Sequence, residues 1–325
     1  MTGLFGRVLI AVCMAGVATF AMSARAQDAK PLPLKVGTLK QGSLTNVWVA
    51  KQSGIFAKNG LDVELIEFRN GNEAVAAQRG GAVDVVLTIP GTAMAAVERG
   101  FDLVLVSGSE TSQATAPDTG SIVVRKDSPI KKLADLKGKT IAISGTHTQK
   151  TVAIQTILKR AGVQPTDFNF IEMPYAAQVD ALRGKQVEVV ASLDPWTTIF
   201  RNSDFATVLA YDYLESLPEQ PIGGWYARRE FAGKNAEAMK RFARSMCDVA
   251  DYLQADSERA RASIAAYTGL DPALIKDVPL NKWTCKIDLK TWDRIGQMMF
   301  EGGELQKPFK IEDWMFESAK PNVIR

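Results

Sequence analysis

Four short stretches of this 325-residue sequence combine residue types that can hold a small solute. Lys40-Gln41-Gly42-Ser43-Leu44-Thr45 places a glycine and hydroxyls ahead of a helical pattern. Backbone N–H groups at a helix start, joined by a hydroxyl, hold an anion without a buried counter-charge. Gln41, Ser43 and Thr45 are therefore candidate contacts, against the plainer alternative that Ser43 or Thr45 simply caps the helix. Thr88-Ile89-Pro90-Gly91-Thr92 repeats the theme, with Gly91 permitting close backbone approach and Thr92 able to cap or donate. Ser144-Gly145-Thr146-His147-Thr148-Gln149 contributes Thr146 and the chain's single histidine, His147. A neutral imidazole there can donate to an oxyanion or stack, unless it is a solvent-facing first-turn residue.

Asp194-Pro195-Trp196 has a different character. Asp followed by Pro is first an N-cap and then the first helical residue. Its carboxylate would already occupy the donors an anion wants, so this loop should meet a cationic, donor-bearing or aromatic part of a ligand, with Trp196 as a wall. Trp225 also follows a loop-like stretch and joins the candidates. Trp48, Tyr175 and Gln178 stand behind them.

Other chemistries find no support. The chain has no G-x-S-x-G, H-E-x-x-H or P-loop pattern. One His and three Cys cannot by themselves build a zinc finger or an iron–sulfur cluster, so no metal or cofactor is expected. A net charge of +3 is too small for a nucleic-acid surface.

The first 26 residues look like an export signal rather than fold. Arg7 precedes an apolar run from Val8 to Met22, followed by Ala24-Arg25-Ala26. Cleavage there removes Arg7, Arg25 and Cys13 and leaves a chain of charge +1, with no stable membrane insertion. Cys247 and Cys285 remain in an oxidising compartment, either as a disulfide or as two buried thiols. Cys247 lies on the apolar stripe Met239, Phe242, Ala243, Met246 and Ala250.

The elements that must position these residues alternate. Leu34–Leu39, Asp62–Phe68, Val83–Thr88 and Leu103–Ser107 read as strands, separated by helical spacing at Asn46–Lys58, Asn72–Gly80 and Thr92–Arg99. Continuous apolar strands alternating with helices predict a parallel sheet covered on both faces. Thr111–Gly120 reads as a crossing. A second set follows, with strands at Ser121–Arg125, Lys139–Ser144, Asn169–Met173 and Val187–Ser192. Tyr213–Gly224 reads as a second crossing, and the remainder is mostly helical. In open α/β sheets, ligands bind beyond the carboxyl ends of the strands.

Three stretches carry a resemblance. Ser53-Gly54-Ile55-Phe56-Ala57-Lys58-Asn59-Gly60-Leu61-Asp62-Val63-Glu64 resembles the G-x-F-x-K-x-G-L-D-V-E segment of nitrate/sulfonate/taurine-type periplasmic substrate-binding proteins. Gly80-Gly81-Ala82-Val83-Asp84-Val85 is similar to that family's G-x-x-D strand start. Leu133-Ala134-Asp135-Leu136-Lys137-Gly138-Lys139-Thr140-Ile141-Ala142 resembles its D-L-K-G-K strand entry. The three lie in the family's order, and the likeness runs from about residue 34 to 317.

The resemblance implies an α/β, two-lobed type II periplasmic-binding fold, each lobe a mostly parallel sheet flanked by helices, with the ligand cleft between lobes. The expected division is a signal at 1–26, a discontinuous first lobe at 27–115 and 221–325, and a second lobe at 116–220. It further implies a monomeric periplasmic receptor, not an enzyme, that passes a small solute to an ABC permease and its ATPase. The helix starts favour an oxyanion and the tryptophans an organic body, so an aliphatic sulfonate is the first expectation. An aromatic carboxylate or pyrimidine ligand, a sensor role, or an enzyme related to pyrimidine-precursor synthesis are the alternatives.

Overall fold

The computed structural model describes residues 30–39 and 45–325. The export-signal reading of 1–26, together with Gln41 and Ser43, lies outside the described residues.

The apolar runs assemble into two sheets. The first contains β1 (Leu32–Leu39), β2 (Leu61–Phe68), β3 (Val85–Thr88), β4 (Leu103–Thr111), β10 (Pro221–Arg228) and β11 (Lys282–Trp283), in the order β11-β4-β10-β3-β1-β2. The second contains β5 (Gly120–Arg125), β6 (Thr140–Ile143), β7 (Asn169–Glu172), β8 (Val189–Leu193) and β9 (Ala206–Ala210), in the order β7-β6-β8-β5-β9. In each, most strands run one way: β1 is parallel to β2 and β3, and β6 to β7 and β8. An inner strand of each is reversed, β10 against β3 and β4, and β5 against β8 and β9, and the short edge strand β11 also runs against β4. The mostly parallel α/β expectation is met.

Helices cover both sheets. In the first half they are α1 (Asn46–Gln52), α2 (Ile55–Lys58), α3 (Gly71–Arg79) and α4 (Pro90–Glu98). Around the second sheet lie α5 (Gln149–Arg160), α6 (Tyr175–Arg183), α7 (Trp196–Asn202) and α8 (Asp212–Ser216). The C-terminal part adds α9 (Arg229–Lys234), α10 (Ala236–Gln254), α11 (Ser257–Thr268), α12 (Pro272–Ile275) and α13 (Leu289–Glu301).

Sequence and structure differ at several joints. The helical pattern over Asn46–Lys58 breaks in two because Gly54 takes φ 75°, a left-handed conformation that ends α1. The stretch read as a loop from Tyr213 takes in all but the first residue of α8, and its last four residues already belong to β10. Glycine there marks close approach rather than a turn. A Cβ on Gly224 would stand 2.8 Å from both the Trp292 ring and the Tyr226 hydroxyl. β9 was not among the strands expected from the sequence, although Phe205 to Ala210 is an apolar run broken only by Thr207.

Each sheet has its own core. Leu34, Val36, Val85, Leu105 and Trp225 belong to the first; Ile122, Ile141, Leu158 and Val189 belong to the second. A third apolar cluster joins α4, α5 and α13 through Met94, Val152, Ile295, Met298 and Met299. On the first sheet, the α10 stripe seats Phe242 between Phe56 and Trp225, with ring centroids at 5.9 and 5.3 Å. Cys247 of this helix is bonded to Cys285, which follows β11, across 38 residues of sequence.

Closing a loop of that length removes chain entropy equivalent to about 4 kcal/mol. Urea denaturation of the Cys247→Ser/Cys285→Ser double variant should show a stability loss of that order. A loss below about 1 kcal/mol would show that packing of α10, rather than the cross-link, holds this region.

Candidate functional site

The loops leaving β3 and β6 meet where the starts of α4 and α5 touch, and those leaving β6, β7 and β8 lie together at the carboxyl end of the second sheet. Two contacts fix how they meet. The Gly91 N–H donates to Gln149 Oε1 at 3.1 Å, setting the start of α4 against the start of α5. His147 Nδ1 lies 3.1 Å from Glu304, which follows α13. A separate cavity of about 640 Å³ between α11 and α12, lined by Arg261, Leu270 and Lys276, touches none of these loops.

Thr45 stands at the N-cap position of α1 and is wholly buried, yet its side chain makes no cap hydrogen bond. Its Oγ1 has no partner among the described residues. Thr88, at the end of β3, is likewise buried with an Oγ1 that has no partner among the described residues, and Gly71, the first residue of α3, approaches it so closely that a Cβ would collide. Thr92 is buried in the first turn of α4. Sequence reasoning put the weight on Thr92 and passed over Thr88. A threonine ending a fully buried strand gives no signal of its own until a neighbouring loop is known to leave its hydroxyl unpaired.

Gly91 does approach closely, but its neighbours belong to the protein. A Cβ there would meet Met299 Sδ at 2.8 Å and Gln149 Cβ at 2.9 Å. Its N–H is already taken by the Gln149 amide, so in this conformation it forms a seam rather than a solute contact.

The third loop is also filled from within. Both the N–H and the hydroxyl of Thr146 donate to Glu172 Oε1, at 2.9 and 2.8 Å. Those two donors hold the Glu172 carboxyl below its ordinary range. Thr148, not Thr146, caps α5, exchanging hydrogen bonds with Thr151. His147 takes φ 57°, which turns its exposed ring toward Glu304. The oxyanion expected at this loop thus meets donors already bonded to the chain's own carboxylates. Sequence spacing could not show this, because Glu172 lies 26 residues away. Parallel pairing of Ile143 with Glu172 brings it alongside.

Asp194 caps α7 from one residue further back than expected, since Pro195 occupies the N-cap position. Its Oδ1 accepts from the Thr198 N–H at 2.9 Å and from the Thr198 hydroxyl at 2.7 Å. Its Oδ2 is buried with no hydrogen-bond partner among the described residues. Burial pushes this carboxyl up to about 7, against the cap hydrogen bonds that favour the charged form. Trp196 stacks on Tyr175 at 5.4 Å, making a flat aromatic pair beside the carboxylate. Burial raises the Tyr175 hydroxyl to about 12. Gln178 is buried and donates to the carbonyls of Met173 and Ala191, which ties α6 to β8.

Trp225 is not part of the crevice. β10 begins four residues earlier than the sequence suggested, which places Trp225 in mid-strand, wholly buried and edge-on to Phe242. Trp48 packs against Tyr267 at 5.7 Å near the end of β1, where the Tyr267 hydroxyl donates to the Leu39 carbonyl. One buried ion pair was also unforeseen: Lys150 Nζ lies 2.9 Å from both carboxylate oxygens of Asp212. Among the described residues, no group of His, Cys, Asp and Glu is placed to hold a metal ion.

Asp194 makes stability depend on pH in a definite sense. Its carboxyl rises from an ordinary 3.8 to about 7 on folding, so the folded chain holds the proton more tightly than the unfolded chain. Stability is then greatest at low pH and falls as pH climbs through the interval between those values. Asp194→Asn keeps an acceptor for Thr198 and removes the charge. In denaturant melts, its stability loss between about pH 5 and about pH 8 should be smaller than the wild type's by about 2 kcal/mol. Equal losses would show that the carboxylate is solvated.

The arrangement matches known proteins. The crystal structure of the periplasmic aliphatic sulphonate binding protein SsuA from Escherichia coli superposes with TM-score 0.74 at 21% identity, covering 89% of this chain and 99% of that one. The ligand binding component of an ABC-type import system from Staphylococcus aureus, solved with zinc bound, gives TM-score 0.76 at 14% identity over 90% and 99% of the two chains. The 4-amino-5-hydroxymethyl-2-methylpyrimidine phosphate synthase THI13 of Saccharomyces cerevisiae is 24% identical over 247 residues, 73% of this chain and 70% of the yeast protein. The two-sheet architecture is that of the periplasmic binding proteins. No helix of the described residues is long and apolar enough to cross a membrane. The family described as NMT1/THI5 like matches residues 41–260, more than half of the chain, and this protein belongs to that family.

Proposed function

We propose that this protein is a periplasmic solute receptor that delivers a small organic anion, an aliphatic sulfonate foremost, to an ABC importer by hinge closure. The observation that carries the reading is a pair of sheets between which the chain passes only at 112–119 and 211–220, with the start of α4 beside one sheet in contact with the start of α5 beside the other. On this reading residues 27–115 and 221–325 form one lobe and 116–220 the other. A solute that bridges them shifts the population toward a closed form, and that form is what a permease recognises. The sulfonate-binding and import-system proteins of like fold support the class. The unpartnered hydroxyls of Thr45 and Thr88 supply donors for an oxyanion.

A second reading is favoured by Asp194. A buried carboxylate oxygen without a partner, beside the stacked Tyr175 and Trp196 rings, suits a flat ligand bearing a hydrogen-bond donor, such as a pyrimidine or an amino-substituted aromatic acid. The yeast pyrimidine synthase is an enzyme relative that fits the same flat chemistry.

Thermal shifts against an alkanesulfonate, nitrate, an aromatic carboxylate and a pyrimidine separate these. A true ligand at about 1,000 times its dissociation constant adds roughly 4 kcal/mol. Recovery of that solute in altered form would establish an enzyme and overturn the receptor reading. Glu172→Gln is the second arm. An anion must compete with Glu172 for the Thr146 donors, so this variant should bind an alkanesulfonate several-fold more tightly. Weaker or unchanged binding would turn the reading toward the donor-bearing ligand.

A further inference from the structure

Gln149 is almost wholly buried at the first position of α5, and its amide uses both of its donors and accepts at its oxygen. Its Oε1 accepts from the Gly91 N–H of α4 at 3.1 Å. Its Nε2 donates to Gln220 Oε1 at 2.9 Å and to the Pro221 carbonyl at 2.8 Å. Gln220 ends the second crossing and is itself a buried hub, donating to the Tyr213 carbonyl at 2.7 Å and the Ser216 hydroxyl at 3.0 Å. One side chain of the second body therefore holds both the helix start of the first body and the segment that connects the two.

We propose that Gln149 is a positioning residue whose amide, wedged between Gly91 and the Gln220–Pro221 crossing, sets the resting angle between the two sheets. The inference rests on the hinge-closure reading and adds to it where the axis lies. The contact sits on the apolar cluster of Met94, Val152, Met298 and Met299, all buried. Separating that cluster at every cycle would expose several large side chains to water, whereas rotation about it exposes little. Glycine at position 91 belongs to the same device, since a Cβ would push against both Gln149 and Met299. An amide suits the place because it accepts on one side and donates on the other, which neither a carboxylate nor an aliphatic chain does.

The test reads geometry without any ligand. Labels at the exposed rim positions Asn72, on α3, and Ala176, on α6, report the distance across the crevice by double electron–electron resonance. Gln149→Glu keeps the acceptor facing Gly91 and loses both donors to the crossing. Gly91→Ala disturbs the opposite arm and serves equally if the first variant fails to fold. Each folded variant should shift the distribution to longer distances and broaden it relative to wild type. A distribution superimposable on wild type, with only the melting temperature lowered, would overturn the proposal and leave Gln149 as packing. Failure of every solute to bind would sink the receptor reading without moving this distance, so the two failures are distinguishable.

Discussion

The architecture depends on two crossing segments being held side by side. Ser112 donates its N–H to the Gln220 carbonyl at 2.9 Å, and Glu219 donates to the Gln113 carbonyl at 3.2 Å. Between them sits the Asp118 carboxylate, buried, with one oxygen on the Gln113 N–H and the other on the Leu214 N–H. A carboxylate out of water is costly unless its lone pairs are used, and here two backbone donors from different crossings use them. Burial still raises it to about 6. The same constraint explains the reversed strands. β5 and β10 each enter their sheet from the other body, and a chain arriving by a short crossing must run against strands that began at the far edge.

Much of the fold could be read from residue patterns because buried parallel strands are continuous apolar runs. The strands read at Val83–Thr88 and Leu103–Ser107 needed no context beyond themselves, and the structure has them at Val85–Thr88 and Leu103–Thr111. What escaped was decided by partners distant in sequence. Gly223 and Gly224 looked like a turn, yet they lie in a central strand because Ser109 and Trp292 leave no room for a side chain. The loops after β3, β6 and β8 do begin at strand ends, while the partners that fill them were not foreseen. Gly91 is met by Gln149, 58 residues on, and Thr146 by Glu172. Local sequence indicates that a donor exists; only the assembled sheet reveals what has claimed it.

That distinction alters the electrostatic picture of the crevice. Composition is close to balanced, and helix starts alone suggested a site for negative charge. The folded chain sets Glu172 against Thr146 and Glu304 against His147, two of the groups a solute anion would seek. Selectivity then becomes a competition between internal and external acceptors for a fixed set of donors. An oxyanion gains only the difference between its own hydrogen bonds and those it displaces, as in any exchange of equivalent partners.

The position of β10 has a consequence for how the chain is made. β3 and β4 follow one another in sequence but are not neighbours in the sheet, since β10 lies between them. Until residue 228 is available, the first half of the protein therefore carries a slot one strand wide, edged by unsatisfied backbone on both sides. Such an opening is an adhesive surface for any passing extended segment. The first body is consequently the last to be finished, and the whole of the second must be synthesised before the slot is filled. Assembly from the amino end onward is closed off by this topology, and a nascent chain needs shielding over that gap for as long as its remaining residues take to emerge.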